Sequence, residues 1–171
     1  QEKILAGYAM GTLDREWGNI VAGVRVERTE NAGEAFATIG GRQQIVSAES
    51  DDTLFFPSAH INWNLNEEMK VRLGFTTGAA RPDFDDLRPN LVANDPTQTI
   101  SGGNPDAKPE RAYGVDAYFE WYVRPQGYLM AGVFYKKVED VLYRQTRTFG
   151  SSALDSNGID RSGYAYSGIT N

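Results

Sequence analysis

Carboxylates are the commonest groups in this chain that could do chemistry, and Asp83, Asp85 and Asp86 lie close enough together to be considered as paired acids. Glycoside hydrolysis needs two such acids held about 5–9 Å apart across a cleft. These three, however, sit on a segment punctuated by Pro82 and Pro89, where acidic side chains are normally just solvated. His60 is the single histidine, so a His-based zinc site or a Ser-His-Asp triad has little to draw on. Its place in an alternating stretch makes it a polar residue on the wet face of a strand. The run Asp155-Ser156-Asn157-Gly158-Ile159-Asp160 has the outline of a calcium loop, but its glycine comes two positions too early and no Glu stands at the twelfth place. A surface turn is the expectation there. No Gly-rich phosphate loop follows any strand. The residues therefore predict no catalytic group, no metal site and no cofactor, and the chain is not expected to be an enzyme.

Composition bounds the class. The 171 residues carry a formal charge of −6, which argues against a nucleic-acid binder, since phosphate recognition requires a basic stripe. There are no cysteines, so nothing is stapled by disulfides. No run approaches the roughly 20 apolar residues that a membrane helix needs. A membrane strand needs only about 9–11, and lipid touches alternate ones. A mean hydropathy of −0.48 is compatible with that kind of wall without requiring it.

The elements that would position these residues are strands. In residues 69–77, Met69, Val71, Leu73, Phe75 and Thr77 fall on one face and Lys70, Arg72, Gly74 and Thr76 on the other. Similar alternation predicts strands over Ile4–Leu13, Asn19–Asn31, Leu54–Leu65, Met69–Gly78, Ala112–Val123 and Tyr128–Val138. A further short strand over Val141–Thr148 completes the reading, in a C-terminal region that otherwise looks like loop. The first, third and fifth links are short: Asp14–Gly18, Asn66–Glu68 and Arg124–Gly127. The second and fourth, Ala32–Asp52 and Ala79–Arg111, are long and read as loops. Alternating short and long links put every tight turn on one rim and every long loop on the other. Outer-membrane barrels place tight turns in the periplasm and long loops outside the cell. Trp17, Trp63 and Trp121 all lie at or near short turns, as a periplasmic aromatic girdle would require. The fold class predicted is an all-β antiparallel meander of about six strands, part of a large transmembrane β-barrel.

The stretch Ala79–Arg111 holds five of the seven prolines, so it cannot continue a regular sheet wall. It opens with Thr77-Gly78-Ala79-Ala80-Arg81-Pro82-Asp83-Phe84 and closes with Gly102-Gly103-Asn104-Pro105-Asp106-Ala107-Lys108-Pro109-Glu110. Together with the aromatic strand around Ala117-Tyr118-Phe119-Glu120-Trp121-Tyr122, these resemble the paired loop signatures of TonB-dependent outer-membrane receptors. Ala107 departs from the pattern, which usually has Leu before the Lys-Pro pair. The resemblance runs from the first strand to about Tyr143. It implies residence in the cell outer membrane and part of a plugged barrel of about 22 strands. It also implies energy-coupled uptake of a scarce nutrient of the oligosaccharide, iron-chelate or cobalamin class. The partners so implied are outer-membrane lipid, a small-molecule substrate and a TonB-type periplasmic energy transducer acting through a plug segment that these residues do not contain. Arg81, Pro82, Asp83, Phe84, Asn104, Pro105, Lys108, Pro109 and Glu110 are the candidate loop-motif residues, and shaping the loop is weighed ahead of touching a ligand.

Gln1-Glu2-Lys3 runs straight into a strand pattern and Ser167–Asn171 stops on the approach to another, so an internal piece of a longer receptor is expected, covering 1–171 as one partial barrel domain. The rival from another class is a soluble β-sandwich carbohydrate-binding module, in which a second sheet would cover the apolar face. A barrel enzyme such as a lipase or protease needs a nucleophile and base that the sequence does not supply.

Overall fold

The computed structural model describes residues 1–39 and 42–171. Ten strands form in chain order: β1 (Glu2–Arg15), β2 (Gly18–Ile39), β3 (Arg42–Asn64), β4 (Met69–Ala80), β5 (Leu91–Asn94), β6 (Thr99–Gly102), β7 (Glu110–Val123), β8 (Gly127–Glu139), β9 (Tyr143–Thr148) and β10 (Ala165–Thr170). Six of them make one antiparallel sheet in the order β1-β2-β3-β4-β7-β8, and the remaining four make a second, smaller sheet in the order β5-β6-β10-β9. Phe84–Leu87 is a single 3-10 turn.

The large sheet is a meander whose register keeps one set of side chains together. Leu13, Ile20, Ile61, Leu73, Ala117 and Val133 stand on the same face because Leu13 pairs with Ile20, Ile20 with Ile61, Ile61 with Leu73, Leu73 with Ala117 and Ala117 with Val133. The rows beside it add Val24, Val26, Phe55, Ala59, Phe75, Val115, Phe119, Leu129 and Tyr135. The opposite face carries Asn19, Arg25, Glu27, His60, Asn62, Arg72, Asp116 and Glu120. Among the described residues no second layer covers the apolar face: Leu5, Phe55 and Val133 are about two-thirds exposed or more, so the sandwich arrangement is not what this sheet adopts. A β-sandwich must bury that face to be stable in water.

The three tight connections lie on one edge. Gly18 pairs with Trp63, Asn64 with Lys70 and Met69 with Trp121, which brings the β1–β2, β3–β4 and β7–β8 turns to the same rim. Gly18 has φ +141°, and a Cβ there would fall onto the Asn62 carbonyl, so the first turn depends on glycine. In the second turn the Asn66 side chain accepts the Glu68 and Met69 amides at 2.9 and 2.8 Å.

The far rim departs from expectation. Ala32–Asp52 is not a loop: β2 and β3 pair continuously from Gly18↔Trp63 to Ile39↔Arg42, so both arms continue outward as a two-stranded ribbon. One face of that ribbon is covered at Gly33, Ala35 and Ala48, while the large apolar side chains Phe36 and Ile45 stand on the exposed face, so hydropathy does not follow burial and periodicity cannot reveal it. Ala79–Arg111 is also more ordered than its prolines suggest, since it holds β5, β6 and the 3-10 turn. The C-terminal region contributes β9, two residues shorter than the predicted Val141–Thr148, and β10.

The small sheet has a core of its own. Ile100, Leu154 and Tyr164 are buried together, with Leu91, Phe149 and Tyr166 packed against them. It thus forms a compact cap built from the β4–β7 and β8–β10 connections.

Candidate functional site

Two clusters of polar residues stand out, one on the inner face of the wall and one where the cap meets the outer rim. On the inner face Arg72 pairs with Glu120 at 2.9 Å, and the Tyr122 hydroxyl donates to the same carboxylate at 2.8 Å. Glu120 is almost wholly buried although its ion-pair partner Arg72 is half exposed. Asn62 donates to Asn19 at 2.7 Å on the same face. His60 stands here too, near Asn62, Arg72 and Asp116, as a polar residue of the inner face.

At the outer rim the two halves of the loop motif converge. Arg81, Pro82, Phe84, Pro105, Lys108 and Pro109 all line a cavity of about 510 Å³, whose other wall is the inner face of β1, β2 and β3 at Glu2, Thr29, Asn31, Ser50 and Asp52. Arg81 reaches across to pair with Glu27, which Arg25 also contacts at 2.6 Å. Asn104 works within the loop: its amide donates to the Asp86 carbonyl at 2.6 Å, its side-chain oxygen accepts the Asp106 amide at 3.1 Å, and its side-chain nitrogen donates to the Ile169 carbonyl at 3.3 Å. The Glu110 carboxylate accepts the Leu142 amide at 2.7 Å and so joins the start of β7 to the chain after β8. Asp83 stands at the N-terminus of the 3-10 turn without a side-chain capping bond. The Lys108 backbone is held on both sides by Asn171, whose side-chain oxygen accepts its amide at 2.7 Å and whose nitrogen donates to its carbonyl at 2.9 Å.

One hub that sequence reasoning missed holds the cap together. Arg161 is buried and makes a two-point contact with Asp95, both bonds 2.7 Å long. A further guanidinium nitrogen donates to the Leu154 carbonyl at 2.7 Å and to Ser156 at 2.8 Å. A planar guanidinium can satisfy this fork where an ammonium cannot. The Arg161 contact, followed in weight by the Tyr164 hydroxyl, holds the Asp95 carboxyl below its usual value against the opposing effect of burial. Nothing in the local sequence marks Asp95 and Arg161 as partners, because 66 residues separate them. The stretch with a calcium-loop outline is part of this hub: Asp155 accepts the Arg161 amide and Asp160 the Ser162 amide, each at 2.8 Å. The Ser162 side chain and amide hold Asp160 below the ordinary carboxylate value.

The tryptophans gather at the tight-turn rim. Trp63 pairs with Gly18 and Val71, Trp121 with Met69 and Leu129, and the Trp17 carbonyl accepts the Asn64 amide at 2.7 Å. Trp63 and Trp121 stand on the apolar face, one pairing row apart.

A meander with one oily and one polar face, tight turns on one rim and a pinned, proline-marked loop on the other now has a match beyond its own geometry. Residues 3–169 fit the family model described as TonB dependent receptor-like, beta-barrel. The chain belongs to this family of TonB-dependent receptor barrels. A solved structure of a double mutant of the Serratia marcescens hemophore receptor HasR, in complex with its hemophore HasA and heme, superposes on it with a TM-score of 0.71 and 12% identity. The match covers 99% of this chain and 29% of HasR, so the chain spans less than a third of that receptor's length. At this identity the likeness speaks for the fold alone, an all-β receptor barrel wall. A comparison with curated proteins gives no match.

Proposed function

We propose that this chain is a stretch of barrel wall from an outer-membrane receptor that binds a scarce nutrient outside the cell and passes it inward by coupling to a periplasmic energy transducer. The observation that carries this reading is the six-stranded sheet itself. Its apolar face is continuous over every strand and uncovered, and its polar face holds Arg72, Glu120, Asn62 and His60. Lipid on one side and a hydrated lumen on the other is the arrangement in which such a sheet is stable. In this reading the rim carrying Trp17, Trp63 and Trp121 faces the periplasm, and the cap faces outward. The loop-motif residues divide by role: Arg81 and Glu110 tie the ends of the loop to neighbouring parts of the chain, Asn104 holds the cap together, and Lys108, Phe84 and the prolines shape the cavity. Substrate enters by that cavity, and no covalent chemistry is involved.

The test is to express the receptor that carries this chain in a Gram-negative host, separate inner from outer membranes, and measure ligand accumulation with and without a proton-motive-force uncoupler. Recovery in the outer membrane with uncoupler-sensitive accumulation is expected. Recovery in the soluble periplasm, without detergent, would overturn the reading.

A further inference from the structure

The wall side of the rim cavity carries hydrogen-bonding groups with nothing to bond. Thr29 is only 3% exposed and its hydroxyl has no partner, and the side-chain oxygen of Asn31, two residues further along the same face, is buried and also unpartnered. Buried polar atoms are nearly always satisfied, and leaving one unsatisfied is costly, so two together on the wall of one cavity point to a bound group that supplies donors. The charges around them specify what kind of donor. Asp52 pairs with Thr29 across β2 and β3, and Glu2 pairs with Asn31 across β1 and β2, so both carboxylates emerge on the same face beside these atoms. Among the described residues neither carboxylate takes part in an ion pair. The cavity as a whole is lined by twice as many acids as bases, and the ratio holds after the residues already in ion pairs are set aside, Arg81 with Glu27, Asp51 with Arg28 and Glu139 with Lys137.

We propose that this cavity binds a ligand through a protonated amine, seated against Thr29 and Asn31 and flanked by Asp52 and Glu2. An ammonium offers three donors and one positive charge, enough to bond both orphaned oxygens and one carboxylate and to offset half of the charge that Asp52 and Glu2 bring. A neutral polyol would satisfy the hydroxyl and amide oxygens but leave the carboxylates uncompensated, and an anion would be repelled. The inference rests on the receptor reading above and narrows its substrate to a cationic amine.

The experiment uses the detergent-solubilised receptor with spermidine as the probe, and maltotriose and ferric citrate as neutral and anionic comparisons, measured by isothermal titration calorimetry. Spermidine is expected to bind well ahead of both. Asp52→Asn is expected to weaken it about tenfold or more, because a desolvated charge contact is lost. Thr29→Val, which keeps the side-chain shape, is expected to weaken it less. Glu30→Gln is the control: it removes the same charge from the outer face of β2, where Glu30 contacts Lys3 and Arg28, and is expected to leave affinity unchanged. Equal loss from Asp52→Asn and Glu30→Gln would mean non-specific attraction and overturn the proposal. So would tighter binding of maltotriose or ferric citrate, or no binding of spermidine. Circular dichroism and heat-modifiable migration of each variant identify any that fail to fold, and if Asp52→Asn does, Thr29→Val against Glu30→Gln decides. Outer-membrane recovery and uncoupler-sensitive accumulation are read separately, so the receptor reading can survive when the amine proposal fails.

Discussion

Val133 and Phe134 are neighbours at the same depth of the wall with opposite surroundings. Val133 pairs with Ala117 on the apolar face and is 72% exposed, whereas Phe134 pairs with Asp116 on the polar face and is 82% exposed. Leu129, the partner of Trp121, lies four residues from Val133 on the same face. At about 3.3 Å per residue and a tilt of about 40°, that places Val133 roughly 10 Å below the aromatic rim, close to the middle of an apolar band about 25 Å tall. Val133→Arg is therefore expected to cost about 2–4 kcal/mol of folding free energy in lipid. Phe134→Arg, facing the lumen and directly opposite Asp116, is expected to cost far less. The assay is urea-dependent folding of the receptor into phosphatidylcholine vesicles, followed by tryptophan fluorescence. Arg72→Ala would be a poor lumen control, since it strips the buried Glu120 of its cation. Equal costs for Val133→Arg and Phe134→Arg, or a larger one for Phe134→Arg, would refute the assignment of faces.

Three further outcomes follow from the same structure. Because the chain has no cysteine, single cysteines placed at Asp106 and Gln126 report topology cleanly, and a membrane-impermeant maleimide on intact cells is expected to label the first and not the second. Ile100→Ala, which hollows the core of the cap, is expected to cost about 2–5 kcal/mol locally and to appear as faster proteolysis between β9 and β10 while the barrel stays heat-modifiable. Asp95 has a folded pKa below its unfolded value of 3.8, so its contact with Arg161 contributes stability that is fully present above that value and is lost as pH falls through the lower folded one. Hydrogen exchange at Phe149–Tyr164 is expected to speed up below about pH 4, and Asp95→Asn is expected to remove that acid dependence.

The wall was legible because each of its strands carries one apolar and one polar face, and a period of two survives in the sequence. All six strands stand within a few residues of where alternation put them, apart from the outward extension of β2 and β3. That extension and the cap were not legible, for related reasons. In the ribbon, the covered face carries small residues such as Gly33, Ala35 and Ala48 while Phe36 and Ile45 stand on the exposed one, so hydropathy does not follow burial. In the cap, the strands are four to six residues long and the core joins residues from two segments about 50 residues apart, so no local window contains enough of it. Arg81 and Lys108, one from each loop signature, line one cavity, but the wall half of that cavity, Thr29 and Asn31 with Asp52, looks like ordinary polar strand until the register brings it together.

The ribbon formed by the outer arms of β2 and β3 gives the receptor a dimension that can change without disturbing its foundation. Beyond Ala59 the β3 arm is no longer paired with β4, and from Ala32↔Glu49 to Ile39↔Arg42 the two arms continue as partners of each other. Inserting or deleting one residue in each arm at matched positions lengthens or shortens the ribbon by about 3.3 Å and leaves every row of the wall as it was. An unmatched change must be absorbed as a bulge, because a slip reaching the wall would turn Val24 and Val26 to the lumen and Arg25 to the lipid. Length variation among relatives should therefore come in matched steps here, making the ribbon an adjustable mast on a fixed deck.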